Sequence, residues 1–117
     1  MKLMYLHYPV QDMEKSLEFY RDVLGFKESW RLGNQTVALT IPNCEQEIML
    51  DKDENDIGAG GVFLVDSVEE YYKEYKSKVE FVIRPIDIPP GKYAVFIDNS
   101  GNRIRILDLS KENNEEK

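Results

Sequence analysis

The sequence is poor in the residues that build cross-links and metal centres. It contains one cysteine and one histidine, which excludes an intrachain disulfide and a zinc site of four Cys or His ligands. No apolar run approaches the roughly 18 residues of a membrane span, and the first residues lack the small-residue cleavage site of a signal peptide. A lone cysteine, Cys44, is typical of a reducing cytosol. We therefore expect a cytoplasmic protein with no membrane association.

Positive charge is scarce as well. Fifteen Lys and Arg residues stand against 22 Asp and Glu residues, which gives a net charge of −7. Nucleic-acid binding requires a basic face, so this charge balance argues against a nucleic-acid partner. With 117 residues the chain is shorter than a typical domain of about 150 residues, so we expect a single domain.

The first half of the chain carries a strand, a helix and three further strands. Residues 2–10 alternate with period two, which indicates a strand. Asp12 is placed to cap a helix over residues 13–24, and Gly25 is placed to end it. The predicted apolar face of this helix comprises Met13, Leu17, Tyr20 and Leu24. The three following strands are predicted at 26–32, 35–41 and 47–50, the first two joined by a Gly33-Asn34 turn.

The same pattern returns after a linker of charged residues and glycines at about 51–60. Ser67 and Glu70 fit a capping box that opens a helix over 68–78, whose tyrosines are expected to pack in the core. Four strands are predicted at 61–65, 79–83, 93–97 and 103–109. The chain thus consists of two βαβββ modules, at about 1–51 and 60–109, and a tail, 110–117, that we expect to be disordered.

Two βαβββ modules, together with several short motifs, resemble the vicinal oxygen chelate superfamily, which includes glyoxalase I, extradiol dioxygenases and bleomycin-resistance proteins. The motifs are Asp12 to Tyr20 (DMEKSLEFY), Leu24-Gly25-Phe26, Phe63 to Asp66 (FLVD) and Asp98 to Ile104 (DNSGNRI). The resemblance implies an α+β fold in which a mixed sheet curls around a cavity and the helices lie outside. It says little about the reaction, since one fold hosts many chemistries.

The metal enzymes of this superfamily place their ligands at recognisable positions. Two of these usually hold histidine and one holds glutamate; here they hold Tyr5, Gly60 and Arg105. Some members use a further glutamate near the end of the first module, where Glu47 or Asp51 is the nearest carboxylate. A guanidinium repels a cation, so we predict no metal site and no cofactor.

Strand alternation, combined with the resemblance, selects the residues expected to line the cavity as a ligand-binding set: Tyr5, His7, Trp30, Tyr93, Arg103 and Arg105. Arginine suits a carboxylate or phosphate, so the expected small-molecule ligand is anionic or aromatic. Each residue also has a purely structural interpretation. The arginines could pair with acidic side chains, Trp30 could lie in the core or a dimer contact, and His7 could be buried with a hydrogen-bond partner.

Three functions remain open at this point. The first is a small-molecule-binding protein of the glyoxalase/bleomycin-resistance type that lacks the metal site. The second is a metal-dependent lyase or dioxygenase of the glyoxalase I type, with substitute ligands such as His7 with Glu28 or Glu47. The third is a non-catalytic assembly subunit. Whether the protein is an enzyme is therefore left open, and the resemblance implies a homodimer.

Overall fold

The computed structural model describes residues 1–52 and 58–112. It contains two compact units, one of residues 4–61 and one of residues 1–3 together with the chain from residue 62 onward. Each unit contains one helical region and four strands, so the predicted α+β class with two βαβββ modules is confirmed. The shared cavity and the single domain stay predictions. No described helix is long and apolar enough to cross a membrane.

The first module places two helical segments against one face of a four-stranded sheet. Its elements are β1 (Lys2–Val10), α1 (Met13–Leu17), a π-helical segment (Glu18–Val23), β2 (Lys27–Leu32), β3 (Thr36–Thr40) and β4 (Glu47–Lys52). The strands lie in the order β2-β3-β4-β1, with β1 parallel to β4. The buried core consists of side chains from α1, β3 and β4: Met13, Leu17, Val37, Leu39, Ile48 and Leu50.

The helix of the first module begins as predicted but does not continue as an α-helix. The Asp12 carboxylate accepts a hydrogen bond from the Lys15 amide at 3.1 Å, and Gly25 ends the segment with φ +82°. From Glu18 the winding widens to a π-helix, which displaces later residues from the 3.6-residue repeat. Phe19, Val23 and Leu24 are consequently 52%, 72% and 46% exposed, so the predicted apolar face is wrong at Leu24.

The second module has a regular helix. Its elements are β5 (Gly60–Leu64), α2 (Val68–Tyr75), β6 (Glu80–Ile88), β7 (Gly91–Ile97) and β8 (Arg103–Leu107), and its strands lie in the order β5-β8-β7-β6. The Ser67 hydroxyl accepts from the Glu70 amide at 3.1 Å, as the capping pattern predicts. The helix ends at Tyr75 rather than at residue 78.

An aromatic cluster fills the space between α2 and its sheet. The Tyr71 ring stacks on Phe96 with centroids 5.8 Å apart, and Tyr75 lies 4.6 Å from Tyr71. Phe81 contacts Phe96 at 5.3 Å. The expected core packing of the helix tyrosines is confirmed for Tyr71, which packs against the buried apolar side chains of the module. Tyr72 contacts Phe81 at 4.9 Å, and Tyr75 contacts the cluster through Tyr71.

β6 is longer than predicted, because Pro85 does not end it. Proline lacks the amide that a strand donates to its neighbours, so within sheets it is confined to edge strands, strand starts and bulges. Here β6 stands at the end of the strand order, and its pairing with β7 shifts register between Phe81 and Ile83 and again between Ile83 and Ile86. These irregularities accommodate the ring within the strand.

The boundaries of the predicted linker and tail also differ from the expectation. Asp51 and Lys52 belong to β4, and residues 53–57 of the predicted linker lie outside the described residues. Within the tail expected to be disordered, residues 110–112 form a turn in which the Lys111 amide donates to the Pro90 carbonyl at 3.0 Å. Residues 113–117 lie outside the described part of the chain.

Candidate functional site

Each sheet turns one face to its helical region, and the candidate residues lie on the other face. In the first module Ile48 and Leu50 join the core beneath α1, so Glu47, Met49 and Asp51 point the opposite way. The parallel pairing of β1 with β4 places Tyr5 beside Glu47 and His7 beside Met49. We call this surface the first-module site face; its polar and aromatic members are Tyr5, His7, Trp30, Thr36, Glu47 and Asp51.

Tyr5 and Trp30 form one aromatic pair on this face. The Trp30 Nε1–H donates to the Tyr5 hydroxyl oxygen at 2.9 Å, and the rings meet edge to face with centroids 6.1 Å apart. Tyr5 is buried at 9% exposure, whereas Trp30 is 40% exposed. The alternative that Trp30 is a core residue is therefore wrong, and the two sequence-predicted residues do come together.

His7 is buried and both of its ring nitrogens are engaged. Nδ1 lies 3.2 Å from the Gly58 carbonyl oxygen, and Nε2 lies 3.2 Å from Asp51 Oδ2. His7 is 5% exposed, which agrees with its structural interpretation as a buried histidine with a hydrogen-bond partner. Neither ring nitrogen directs a lone pair toward a space where a metal ion could bind.

Asp51 is the centre of a polar network at the end of β4. Its Oδ1 accepts from the Thr36 hydroxyl at 2.6 Å and from the Gln35 amide at 3.4 Å, while His7 occupies Oδ2. Burial alone would raise the pKa of Asp51, but the hydrogen bonds from His7 and Thr36 outweigh it and the pKa lies below the ordinary value. Sequence reasoning named Asp51 only as a possible metal ligand.

Glu47 is the second carboxylate of the first-module site face. Its Oε2 accepts from the Ser29 hydroxyl at 3.2 Å, while its Oε1 is buried and has no hydrogen-bond partner among the described residues. The sequence offered no signal for this arrangement, because the Ser29 donor reaches Glu47 across β3 from the neighbouring β2 strand.

In the second module the candidate residues also lie on the face away from the helix. Ile104 and Ile106 pack with the α2 cluster, which turns Arg103 and Arg105 to the other side of β8, as predicted. Arg105 is fully buried, whereas Arg103 is exposed and donates to the Gly101 carbonyl at 3.3 Å. Tyr93 lies across from Leu107, the next residue on the arginine side of β8.

Sequence reasoning missed a buried carboxylate next to this face, Asp108, which is 1% exposed. Its Oδ2 accepts from the Val68 amide at 2.8 Å, and its Oδ1 accepts from the Lys92 amide at 2.9 Å and from the Ser110 hydroxyl at 2.8 Å. Burial would raise the pKa of Asp108, but these hydrogen bonds, the Val68 amide first, lower it. Asp108 therefore holds the backbone of three segments together and is not a candidate ligand-binding residue.

The residues at the superfamily's metal positions do not fit a metal. Tyr5 is hydrogen-bonded to Trp30, Gly60 has no side chain, and Arg105 carries positive charge. Across residues 1–52 and 58–112, no three His, Cys, Asp or Glu side chains are grouped to hold an ion. The substitute ligand Glu28 is instead held in ion pairs with Arg21 at 2.7 Å and Arg31 at 2.8 Å.

Comparisons with known proteins agree with the fold and the motifs. The sequence is 29% identical over 125 residues to a Bacillus subtilis protein named Uncharacterized protein YurT, an alignment that covers 92% of this chain and 98% of the relative. A crystal structure of a glyoxalase/bleomycin resistance protein/dioxygenase superfamily member from Vibrio splendidus is 18% identical, with a TM-score of 0.64 over 89% of this chain and 95% of that one.

The structure of methylmalonyl-CoA epimerase from Mycobacterium tuberculosis is 17% identical, with a TM-score of 0.68 over 97% of this chain and 91% of that one. At such identities these two structures support the fold alone. The sequence model of the Glyoxalase/Bleomycin resistance protein/Dioxygenase superfamily matches residues 2–106, nearly the whole chain. The chain therefore belongs to the glyoxalase/bleomycin resistance protein/dioxygenase superfamily, as the motifs at Asp12 and Asp98 suggested.

Proposed function

We propose that this protein binds a small anionic or aromatic molecule without the superfamily's metal ion. The observation that carries the proposal is the chemistry at the metal positions, where a hydrogen-bonded tyrosine and a fully buried arginine stand in place of ligands. Sequestration or transport of a ligand requires a shaped surface with a few fixed polar groups, and it requires no proton-transfer group.

The first-module site face supports an aromatic ligand. Trp30 presents part of its ring to solvent, and its hydrogen bond to Tyr5 fixes the orientation of both rings. A preorganised aromatic surface stacks on a ligand with little loss of side-chain freedom. His7 then acts as a positioning residue, because it joins Asp51 on β4 to Gly58 through both ring nitrogens.

The second module supports the anionic part of the proposal. Arg105 extends from β8 on the face away from α2, and its guanidinium can bind two oxygens of a carboxylate at once. Arg103 and Tyr93 border the same face of this sheet and would complete the contact with the ligand.

The test compares the binding of benzoate with that of its neutral analogue benzamide, both measured by isothermal titration calorimetry. We expect Arg105→Ala to weaken benzoate binding by about tenfold or more, since a hydrogen bond to a charged group contributes about 1.5–3 kcal/mol. Benzamide binding should barely change. Arg84→Ala is the matched control, because it removes the same charge from an exposed position on β6.

Equal affinity for benzoate and benzamide in the wild-type protein would contradict the anionic specificity, whether or not Arg105→Ala folds. The metal question has its own measurement. Elemental analysis that finds about one divalent ion per chain, lost in His7→Ala, would favour the metal-dependent lyase or dioxygenase instead. Ligand binding that persists in excess chelator supports the proposal.

We further propose that the protein is a homodimer, as the superfamily resemblance implies. The π-helical segment and its C-cap expose apolar surface at Phe19, Val23 and Leu24, which supports association through side chains. Sedimentation at micromolar concentration should give a species of twice the 13.7 kDa chain mass. A monomer under these conditions would contradict it.

A further inference from the structure

One carboxylate on the first-module site face still has hydrogen-bonding capacity. Both oxygens of Asp51 already accept hydrogen bonds, from His7 on Oδ2 and from Thr36 and Gln35 on Oδ1. Glu47 differs, since only its Oε2 has a donor, the Ser29 hydroxyl at 3.2 Å. Its Oε1 is buried and lacks a donor throughout the part of the chain that the structure describes. A buried carboxylate oxygen without a hydrogen bond is costly.

The surroundings of Glu47 are aromatic. Tyr5 lies directly across from it in the β1–β4 pairing, and Trp30 follows Ser29, the residue that holds the other carboxylate oxygen. Trp30 in turn is hydrogen-bonded to Tyr5 at 2.9 Å and keeps part of its ring exposed. A carboxylate and two electron-rich rings on the same sheet face together favour a cation that can also donate a hydrogen bond.

We infer that Glu47 forms a subsite for a protonated amine of the ligand, next to the Tyr5–Trp30 pair. This inference rests on the proposed function and adds to it a hydrogen-bond-donating cationic group. An ionised carboxylate only accepts hydrogen bonds, so the group that satisfies Oε1 must carry an N–H or O–H. The side chain as a whole is half-buried, and the last torsion of a glutamate is broad, so a small turn of the carboxylate presents Oε1 to a ligand.

The test uses two aromatic cations of the same charge. Phenethylammonium carries three N–H donors, whereas phenethyltrimethylammonium carries none. The single tryptophan gives one indole N–H signal in a proton–nitrogen NMR spectrum, and its shift reports binding beside Trp30. In the wild-type protein we expect phenethylammonium to bind about tenfold more tightly, because a hydrogen bond to a charged group contributes at least this factor.

Glu47→Gln should remove most of this preference while keeping the side chain's shape. Glu45→Gln is the matched control, since it removes the same charge from an exposed position two residues away and should leave the preference intact. An equal loss in both variants would assign the effect to the net charge of the protein and overturn the inference. Should Glu47→Gln fail to fold, the wild-type comparison of the two cations decides alone.

The remaining outcomes separate this inference from the proposed function. Binding of benzoate without binding of phenethylammonium would overturn the amine subsite and leave the proposed function standing. Equal affinity for the primary and the trimethylated cation would overturn the hydrogen bond to Glu47. If neither benzoate nor phenethylammonium binds in calorimetry, both proposals fail together.

Discussion

The two modules each place an aspartate at or just beyond the end of their last strand, and they use it in opposite ways. In the second module Asp108 is buried and takes its hydrogen bonds mainly from backbone amides, those of Val68, Lys92 and Ser110. In the first module Asp51 takes its hydrogen bonds within the described residues from side chains, those of His7, Thr36 and Gln35. A carboxylate bound by backbone is fixed by the fold, whereas one bound by side chains can be changed by substitution.

A second contrast concerns the pairing of the first and last strands of each module. His7 lies five residues before the Asp12 cap, and Val62 lies five residues before the Ser67 cap. Their neighbours in the parallel pairings are Met49 and Arg105. Met49 is thus the first-module equivalent of Arg105. The carboxylates Glu47 and Asp51 stand two residues before and two residues after that position.

The largest expected effect separates the two aspartates. Asp108→Ala leaves the Val68, Lys92 and Ser110 amides without their acceptor, so we expect it to lower the free energy of unfolding by about 3–5 kcal/mol. Asp51→Ala should cost about 1–2 kcal/mol, since the half-buried Thr36 and Gln35 side chains can turn to water and only His7 loses a buried partner. Urea denaturation measures both. Equal losses would contradict the distinction between backbone-bound and side-chain-bound carboxylates.

A substitution at Gly91, which packs against Asp108, should have a smaller effect on stability. A Cβ at this position would overlap the Asp108 carboxylate, the Asp108 carbonyl oxygen and the Ser110 backbone nitrogen. Because two of these three atoms are backbone, relief requires movement of the chain, and we expect Gly91→Ala to cost about 1–3 kcal/mol. Gly101→Ala is the control, as no atom lies within 4 Å of its added Cβ and only its positive φ opposes the change. Unchanged stability in Gly91→Ala would contradict the close packing of Gly91 against Asp108 and Ser110.

Acid should weaken the second module through Asp108. The folded pKa of this group lies below the ordinary value of 3.8, so its contribution to stability is complete above that pH. The contribution is lost as the pH falls through the lower folded pKa. Stability measured between pH 5 and pH 2 should therefore decline less steeply in Asp108→Asn than in the wild type. An unchanged slope would contradict the role assigned to the ionised carboxylate.

The smallest effect concerns the aromatic pair of the first module. Tyr5→Phe removes the acceptor of the Trp30 indole, at a cost of about 1 kcal/mol in the free energy of unfolding. The fluorescence of the single tryptophan should change its emission maximum, because the indole N–H loses its protein partner. Tyr8→Phe, on the same strand but exposed, should leave the emission as it is. A change of equal size in both variants would argue against the hydrogen bond.

The order of the elements could be predicted because its signals are local. Each of these signals acts within a few residues: the alternation over residues 2–10, the caps at Asp12 and Ser67, and the glycine at position 25. The π-helical winding from Glu18 could not be predicted, since the sequence keeps the period of an α-helix there. Most donors of Asp108 are backbone amides, one of them 40 residues away, and backbone amides leave no trace in side-chain patterns.

The site was predicted only in part for a related physical reason. Alternation identified the faces of β1 and β8, and therefore Tyr5, His7 and Arg105, because side-chain direction follows from period two. It could not identify which groups meet, since the Tyr5–Trp30 and Glu47–Ser29 contacts depend on register across strands. Register is set by tertiary pairing, such as the irregularity between Glu28 and Trp30 in β2.

Pro85 has a consequence for the behaviour of the protein at high concentration. β6 is nine residues long and stands at the end of its strand order, where an uninterrupted row of amides would act as a template for another chain. Pro85 interrupts this row, the register shifts around it bend the strand, and Arg84 and Asp87 add charge nearby. This edge is therefore a poor template for a β-sheet that would grow by adding further copies of the chain.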